Sequence, residues 1–325
     1  MSENWRCITR PTQSFAGFPV CTQLNDLEAD IAIIGLHYVS PYPQRLPETT
    51  VKTAVETAPD AIRRQSSIFI DRLDHYDFDF DDVLLADRQI RIIDCGDVDK
   101  QLKVGGQNPE YITAAIRTIL SRGAIPIALG TDEGGCIPVL RAYDVYDALC
   151  VVHIDAHIDW RDERDGVREG YSSVMRRSSE MPWVKTMVQV GLRGIGSARQ
   201  QEVDDALSFG SVFIRAREVH REGIDACIDR IPAANHYLIT IDTDAFDTAI
   251  APGVLFTSPG GLTFDETTDL VKGIAQKGSI VGINLFEVRP EKDINDLTAL
   301  TGAHLIINFI GTLAHSGQIG KCKRQ

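Results

Sequence analysis

Three short stretches of this sequence crowd carboxylates together with imidazoles. They are His153-Ile-Asp155-Ala-His157-Ile-Asp159, Asp242-Thr-Asp244-Ala-Phe-Asp247 and Gly130-Thr-Asp132-Glu133. Each follows an apolar run that reads as a β-strand, so about six carboxylates collect at strand ends. Two unit charges 4 Å apart repel by about 4 kcal/mol at an effective dielectric of ~20. A fold tolerates that only with protons or cations in between. Oxygen-rich sets with an occasional imidazole suit a divalent ion such as Mn²⁺. Side chains two apart on an extended segment share one side, so Asp155, His157 and Asp159 can converge on one ion. Asp132 and Asp247, taken singly, read as caps of nearby helix starts. His153 lies inside its apolar run and reads as a hydrogen-bonded core histidine.

The elements that must position these groups alternate in type. Val/Ile-rich runs at 30–36, 89–95, 124–129, 149–155, 186–192, 212–215, 237–242 and 280–287 read as strands. Near-continuous apolar runs are what strands buried on both faces require. Helical patterns fill the gaps at 59–66, 109–122, 137–143, 224–231, 264–277 and 297–313. Thr263 and Glu266 form a capping-box pattern, and Gly123 and Gly278 stop two helices. The alternation predicts an α/β fold, a three-layer αβα sandwich around a mostly parallel eight-stranded sheet, with 1–325 as a single domain. In such sheets functional groups gather at the carboxyl ends of the strands. The segments 41–57 and 71–82 read as surface loops.

Composition narrows the partners. With 33 Lys+Arg against 46 Asp+Glu the net charge is −13, and no basic cluster marks a nucleic-acid face. A cationic small molecule fits the balance better. No apolar run reaches the ~20 residues that span a bilayer, and the N-terminus does not read as a signal peptide. The seven cysteines are odd in number with no CxxC pair, which predicts a reducing cytoplasm.

Several further segments, in order, resemble the ureohydrolase superfamily of arginases, agmatinases and guanidino-acid hydrolases. Ala29-Asp-Ile-Ala-Ile-Ile-Gly35 is similar to its first strand, Ala58-Pro-Asp-Ala-Ile-Arg63 to its G-P-x-A-I-R start, and Asp94-Cys-Gly-Asp97-Val98 to its D-x-G-D-V strand end. Ala251-Pro-Gly253, Pro259-Gly-Gly-Leu-Thr263 and Glu287-Val-Arg-Pro290 are similar to its A-P-G, P-G-G-L-T and E-V-x-P motifs. The resemblance implies an arginase-like fold and up to two divalent ions, manganese or nickel, that generate a hydroxide for attack on a guanidinium carbon. It implies that Asp155 and Asp242 bridge both ions, that Asp159 binds the first, and that His157 and Asp244 bind the second. Glu287 would pair with the substrate guanidinium.

Two positions depart from the pattern. The family's G-G-D-H histidine ligand is replaced by Glu133, making the first position all-carboxylate and predicting weaker occupancy there. The loop histidine of H-G-T-x-F-R-R aligns with Tyr171 of Tyr171-Ser-Ser-Val-Met-Arg176-Arg177, and a phenol with a pKa near 10 is a poor proton shuttle at pH 7. The combination resembles the degenerate chain of metformin hydrolase, a hetero-oligomer of two related chains. It implies a trimer or hexamer containing a paralogous ureohydrolase subunit, acting on a small guanidino or biguanide substrate. A stand-alone metallohydrolase of agmatinase or guanidino-acid type is the alternative.

Overall fold

A computed structural model of the protein describes residues 5–43, 57–98 and 108–322. Nine strands form the central sheet: β1 (Ile8–Thr9), β2 (Ile31–Leu36), β3 (Ile92–Val98), β4 (Ile125–Gly130), β5 (Leu149–Ile154), β6 (Val184–Leu192), β7 (Val212–Arg215), β8 (His236–Asp242) and β9 (Ser279–Phe286). Their order is β1-β3-β2-β4-β9-β8-β5-β6-β7. Only β1, on an edge, runs antiparallel to its neighbour. It is the ninth strand, added to the eight expected; two residues are too few to carry a period. β3 begins three residues later than expected because Arg88–Gln89 pairs instead with Lys321–Cys322.

Alternate strand residues feed two separate cores. Ile31 and Ile33 of β2 pack with Ala58 and Ile62 of α1 (Ala58–Gln65), Leu270 of α8 (Phe264–Lys277) and Ile306 of α9 (Leu297–His315). Ala32, Ile34 and Leu36 face the opposite layer, with Ile112 and Ile116 of α2 (Asn108–Ser121) and Val139 of α3 (Cys136–Arg141). This is the three-layer sandwich. Helix α9 is apolar on all sides because 78% of its most apolar window is buried inside the protein. The capping box of α8 is formed: Thr263 N donates to Glu266 Oε2 (2.8 Å) and Glu266 N to Thr263 Oγ1 (3.1 Å). Three helices were not expected: α4 (Val174–Ser179), α5 (Gln200–Phe209) and α6 (Ala216–Glu222). Two are too short for a repeat, and α5 buries only Ala206. The 41–57 loop lies largely outside the described residues; 71–82 contains a small hairpin, Tyr76–Asp77 with Asp82–Val83.

The A-P-D-A-I-R and D-C-G-D-V segments meet in one buried ion-pair cluster. Arg63 donates through Nε (2.9 Å) and Nη2 (3.0 Å) to the two oxygens of Asp94, and through Nη1 to Asp97. Asp94 Oδ2 also accepts from Phe15 N (2.9 Å). Gly96, at φ +79°, passes so close to Thr9 that a Cβ would stand 2.4 Å from its carbonyl oxygen. Burial alone would raise the Asp97 carboxyl, but the contacts with His37 and Arg63 outweigh it and hold it at about 2. This cluster joins α1, β3 and the N-terminal segment. Removing one member of a buried ion cluster costs about 3–5 kcal/mol because the remaining charges are left unpaired. Arg63→Leu should therefore lower the urea midpoint by that equivalent, whereas Arg91→Leu, which breaks the exposed pair with Glu28, should leave it nearly unchanged.

Candidate metal centre

The four strands β4, β9, β8 and β5 are neighbours and parallel, so their carboxyl ends share one edge. Glu133 follows β4 in the 3₁₀ turn Glu133–Gly135. Asp155, His157 and Asp159 follow β5, Asp242 and Asp244 end β8, and Glu287 follows β9. They surround a cavity of about 730 Å³ that Tyr171 also lines, with Asp155 buried beneath it. Asp159 (φ +46°) and Glu287 (φ +64°) are both left-handed. Such backbone costs of order 1–3 kcal/mol and persists where the surroundings over-determine it; here it turns two carboxylates into the cavity.

Among the described residues two ligand groups form, each with donor atoms within 4.8 Å of one another: Glu133, His153, Asp155 and Asp159, and Asp155, His157 and Asp244. Asp155 is common to both, as a bridging ligand requires. Asp242 lies outside both tight groups but lines the same cavity, its Oδ1 accepting from Asp244 N (2.8 Å). Burial, and then the charge of Asp155, push the Glu133 and Asp159 carboxyls far up. Burial and Asp244 do the same to Asp242. Asp155 goes the other way: burial opposes ionisation, but His153 and His157 hold it far down. Burial would depress His157, yet its contacts with Asp155 (3.3 Å) and Asp244 (3.1 Å) push it up to about 12. Glu133 Oε2 is buried with no hydrogen-bond donor facing it. An orphaned carboxylate oxygen among carboxylates fits a hard divalent cation.

His153 is the hydrogen-bonded core histidine expected, but its second nitrogen reaches the centre. The indole N–H of Trp160 can only donate, and with Ser211 Oγ it donates to Gln189 Oε1 (2.9 and 3.1 Å). The Gln189 amide nitrogen must then donate, to Ile158 O (2.8 Å) and His153 Nδ1 (3.1 Å). This assigns the proton of a neutral His153 to Nε2, which stands 2.8 Å from Glu133 Oε1 and 2.9 Å from Asp155 Oδ2. In that tautomer His153 offers the first group an N–H rather than a lone pair.

The remaining residues hold this arrangement. Asp132 accepts from Ser40 N, Ser40 Oγ and Gly134 N, and Asp247 from Ala249, Gly260 and Gly261 N–H groups; both clasp loops, close to the capping role expected. Tyr171 packs edge-on to Tyr42 (4.8 Å), its hydroxyl accepts from Arg164 (3.2 Å), and burial raises it further. Glu287 Oε1 accepts from Glu133 N (3.0 Å), and its Oε2 from Arg289. Arg193, which the sequence did not single out, donates to the carbonyls of Gly191, Asp244, Ala245, Phe246 and Ser258. It stitches the Asp242–Asp244 turn to its neighbours.

The model of the Arginase family matches residues 29–311. The chain belongs to the arginase family. Arginase-family hydrolases cleave carbon–nitrogen bonds in linear amidines, and this chain carries that family's two-group, carboxylate-rich metal centre. It is similar to an agmatinase of Pyrococcus horikoshii, 26% identical over 292 residues, 88% of this chain and 93% of the relative. It is also similar to the N(1)-aminopropylagmatine ureohydrolase of Thermococcus kodakarensis, 29% identical over 277 residues, 83% of this chain and 88% of that one. Proclavaminate amidino hydrolase from Streptomyces clavuligerus shares the fold with a TM-score of 0.76 at 23% identity, covering 96% of this chain and 99% of its own.

Two outcomes test this arginase-family centre. After dialysis, metal analysis should find about one divalent ion per chain, and Asp155→Asn, which removes the shared ligand, should abolish it. Two tightly held ions would show that Glu133 does not weaken the first position. Uptake at pH 7 should also release protons, because His157 is protonated when metal-free and must lose that proton to bind. Apparent affinity should therefore rise with pH, measured by titration in lightly buffered solution.

Proposed function

We propose that the chain is a single-domain ureohydrolase subunit working beside a paralogous catalytic chain on guanidino or biguanide compounds, in the manner of metformin hydrolase. One observation carries the reading: Glu133, at the place of the family's histidine ligand, brings a further carboxyl group into the first ligand group beside Asp155 and Asp159. The relatives' names, which specify agmatine-type ureohydrolases, support a guanidino substrate class. Trimeric or hexameric assembly in the cytoplasm belongs to the same proposal.

In this reading Glu133, Asp155, Asp159, Asp242, Asp244 and His157 would hold up to two ions, manganese or nickel. When bound, such ions supply a hydroxide nucleophile at neutral pH and offset developing negative charge. Glu287 aligns with the carboxylate that would face the ligand's guanidinium in the family. Tyr171, aligned with the family's loop histidine, would take the place of its proton-transfer group. A positioned acid–base group contributes ~10²–10⁴-fold, and a phenol raised further by burial forfeits most of that. Glu133 would place a carboxylate beside the first ion where the family has a neutral imidazole.

A second reading, a stand-alone binuclear hydrolase on a small guanidino compound, is favoured by one feature: both ligand groups are assembled around Asp155. Urea release separates the two. The isolated chain loaded with Mn²⁺ or Ni²⁺ should turn over guanidine, agmatine and metformin below about 1 s⁻¹, the lower end of ordinary enzymes. Faster turnover would establish the stand-alone enzyme. Co-expression with the paralogue should give a mixed oligomer by light scattering, and a monomer under both conditions would refute the assembly.

A further inference from the structure

The carboxylate assigned to the substrate guanidinium already holds one. Arg289 donates to Oε2 of Glu287 through both Nη2 (2.8 Å) and Nε (3.2 Å). The other oxygen, Oε1, accepts from Glu133 N (3.0 Å). The pair is well shielded, with side-chain exposures of 16% for Arg289 and 4% for Glu287. Its geometry is held from the backbone. Glu287 is left-handed, Arg289 N donates to Gly253 O at 2.7 Å, and the Pro290–Lys292 turn begins at once. A guanidinium keeps its charge at any physiological pH.

A free guanidino ligand would bring to Glu287 the same planar set of N–H donors that Arg289 already supplies.

We infer that Arg289 is a specificity-determining residue that engages the Glu287 carboxylate with its own guanidinium and so keeps free guanidinium from it. The inference rests on the assignment of Glu287 made above and goes beyond it. It gives a reason for the low turnover proposed above that is independent of metal content: the chain keeps the pocket but engages the carboxylate to which the ligand would bind.

The test is guanidinium binding rather than catalysis. Guanidinium chloride is titrated calorimetrically into the full chain at constant ionic strength, with sodium chloride as the control salt. Wild type should give no saturable heat in the millimolar range. Arg289→Ser, which vacates the subsite, should bind at least ~10-fold more tightly and gain melting temperature on addition of guanidinium but not sodium. Arg289→Lys, which keeps charge but lacks the fork, should fall between and serves if the serine variant does not fold. Adding Glu287→Gln to Arg289→Ser should abolish the gain. Equal binding by wild type and Arg289→Ser, lost in both with Glu287→Gln, would mean that Glu287 is the subsite and Arg289 does not block it. A gain that survives Glu287→Gln would mean that Glu287 is not the subsite. Either result overturns the inference, and neither depends on whether a paralogous subunit exists.

Discussion

Buried negative charge is the constraint to which the rest of this molecule answers. Glu133, Asp155, Asp159, Asp242, Asp244 and Glu287 are all less than 9% exposed and sit at one edge of one sheet. Ionised carboxylates removed from water need a compensating charge or proton within a few ångströms. The protein supplies three kinds. His157 lies between Asp155 and Asp244, the N–H of His153 lies between Glu133 and Asp155, and Arg289 covers Glu287. The deficit that remains falls on the first ligand group, where Glu133 Oε2 and Asp155 Oδ2 have no hydrogen-bond partner. Cation binding and the protein's own cationic and N–H-bearing side chains are therefore two answers to the same problem.

Compensation also explains the supporting shell. A charged ligand is useful only if it is held in place, and each is held by backbone or by a network that ends in the core. Arg193 binds five carbonyls around the Asp242–Asp244 turn, and Asp132 fixes the start of the Glu133 turn. The chain Trp160–Gln189–His153 runs inward from the centre and sets which imidazole nitrogen carries the proton. A similar arrangement further away, Arg63 with Asp94 and Asp97, ties the first helix to its strand.

What the sequence revealed and what it concealed differ in range. The strands and most helices were legible because burial imposes a short period on consecutive residues. The D-A-H-x-D and D-x-D clusters were legible because alternation along an extended segment places their side chains together. Two-residue β1 and the polar helix α5 carry no such period. Long-range partners were harder. Nothing near Arg193 in the sequence specifies carbonyls at 244–246 and 258, and Gln189 is 36 residues from the histidine it orients. His153 was assigned correctly as a bonded core residue, but its approach to Glu133 depends on β4 and β5 lying on either side of β8 and β9. Arg289 stood in view inside E-V-x-P; only its distance to Glu287 reveals that it covers the carboxylate.

The order of the sheet has a consequence for how the chain comes off the ribosome. β9 is the last of its strands to be made, yet it lies in the middle, between β4 and β8. Until residues 279–286 emerge, β4 and β8 each present an unpaired inner edge, and such edges are templates for pairing with another chain. The contact between Glu133 and Glu287 spans 154 residues, so the pocket closes only when synthesis is nearly complete. Separations of that size slow folding and lengthen the time partly built sheets are exposed. A nascent chain halted before β9 would be an aggregation hazard, because it would also lack the apolar helix α9 that covers one face of the sheet.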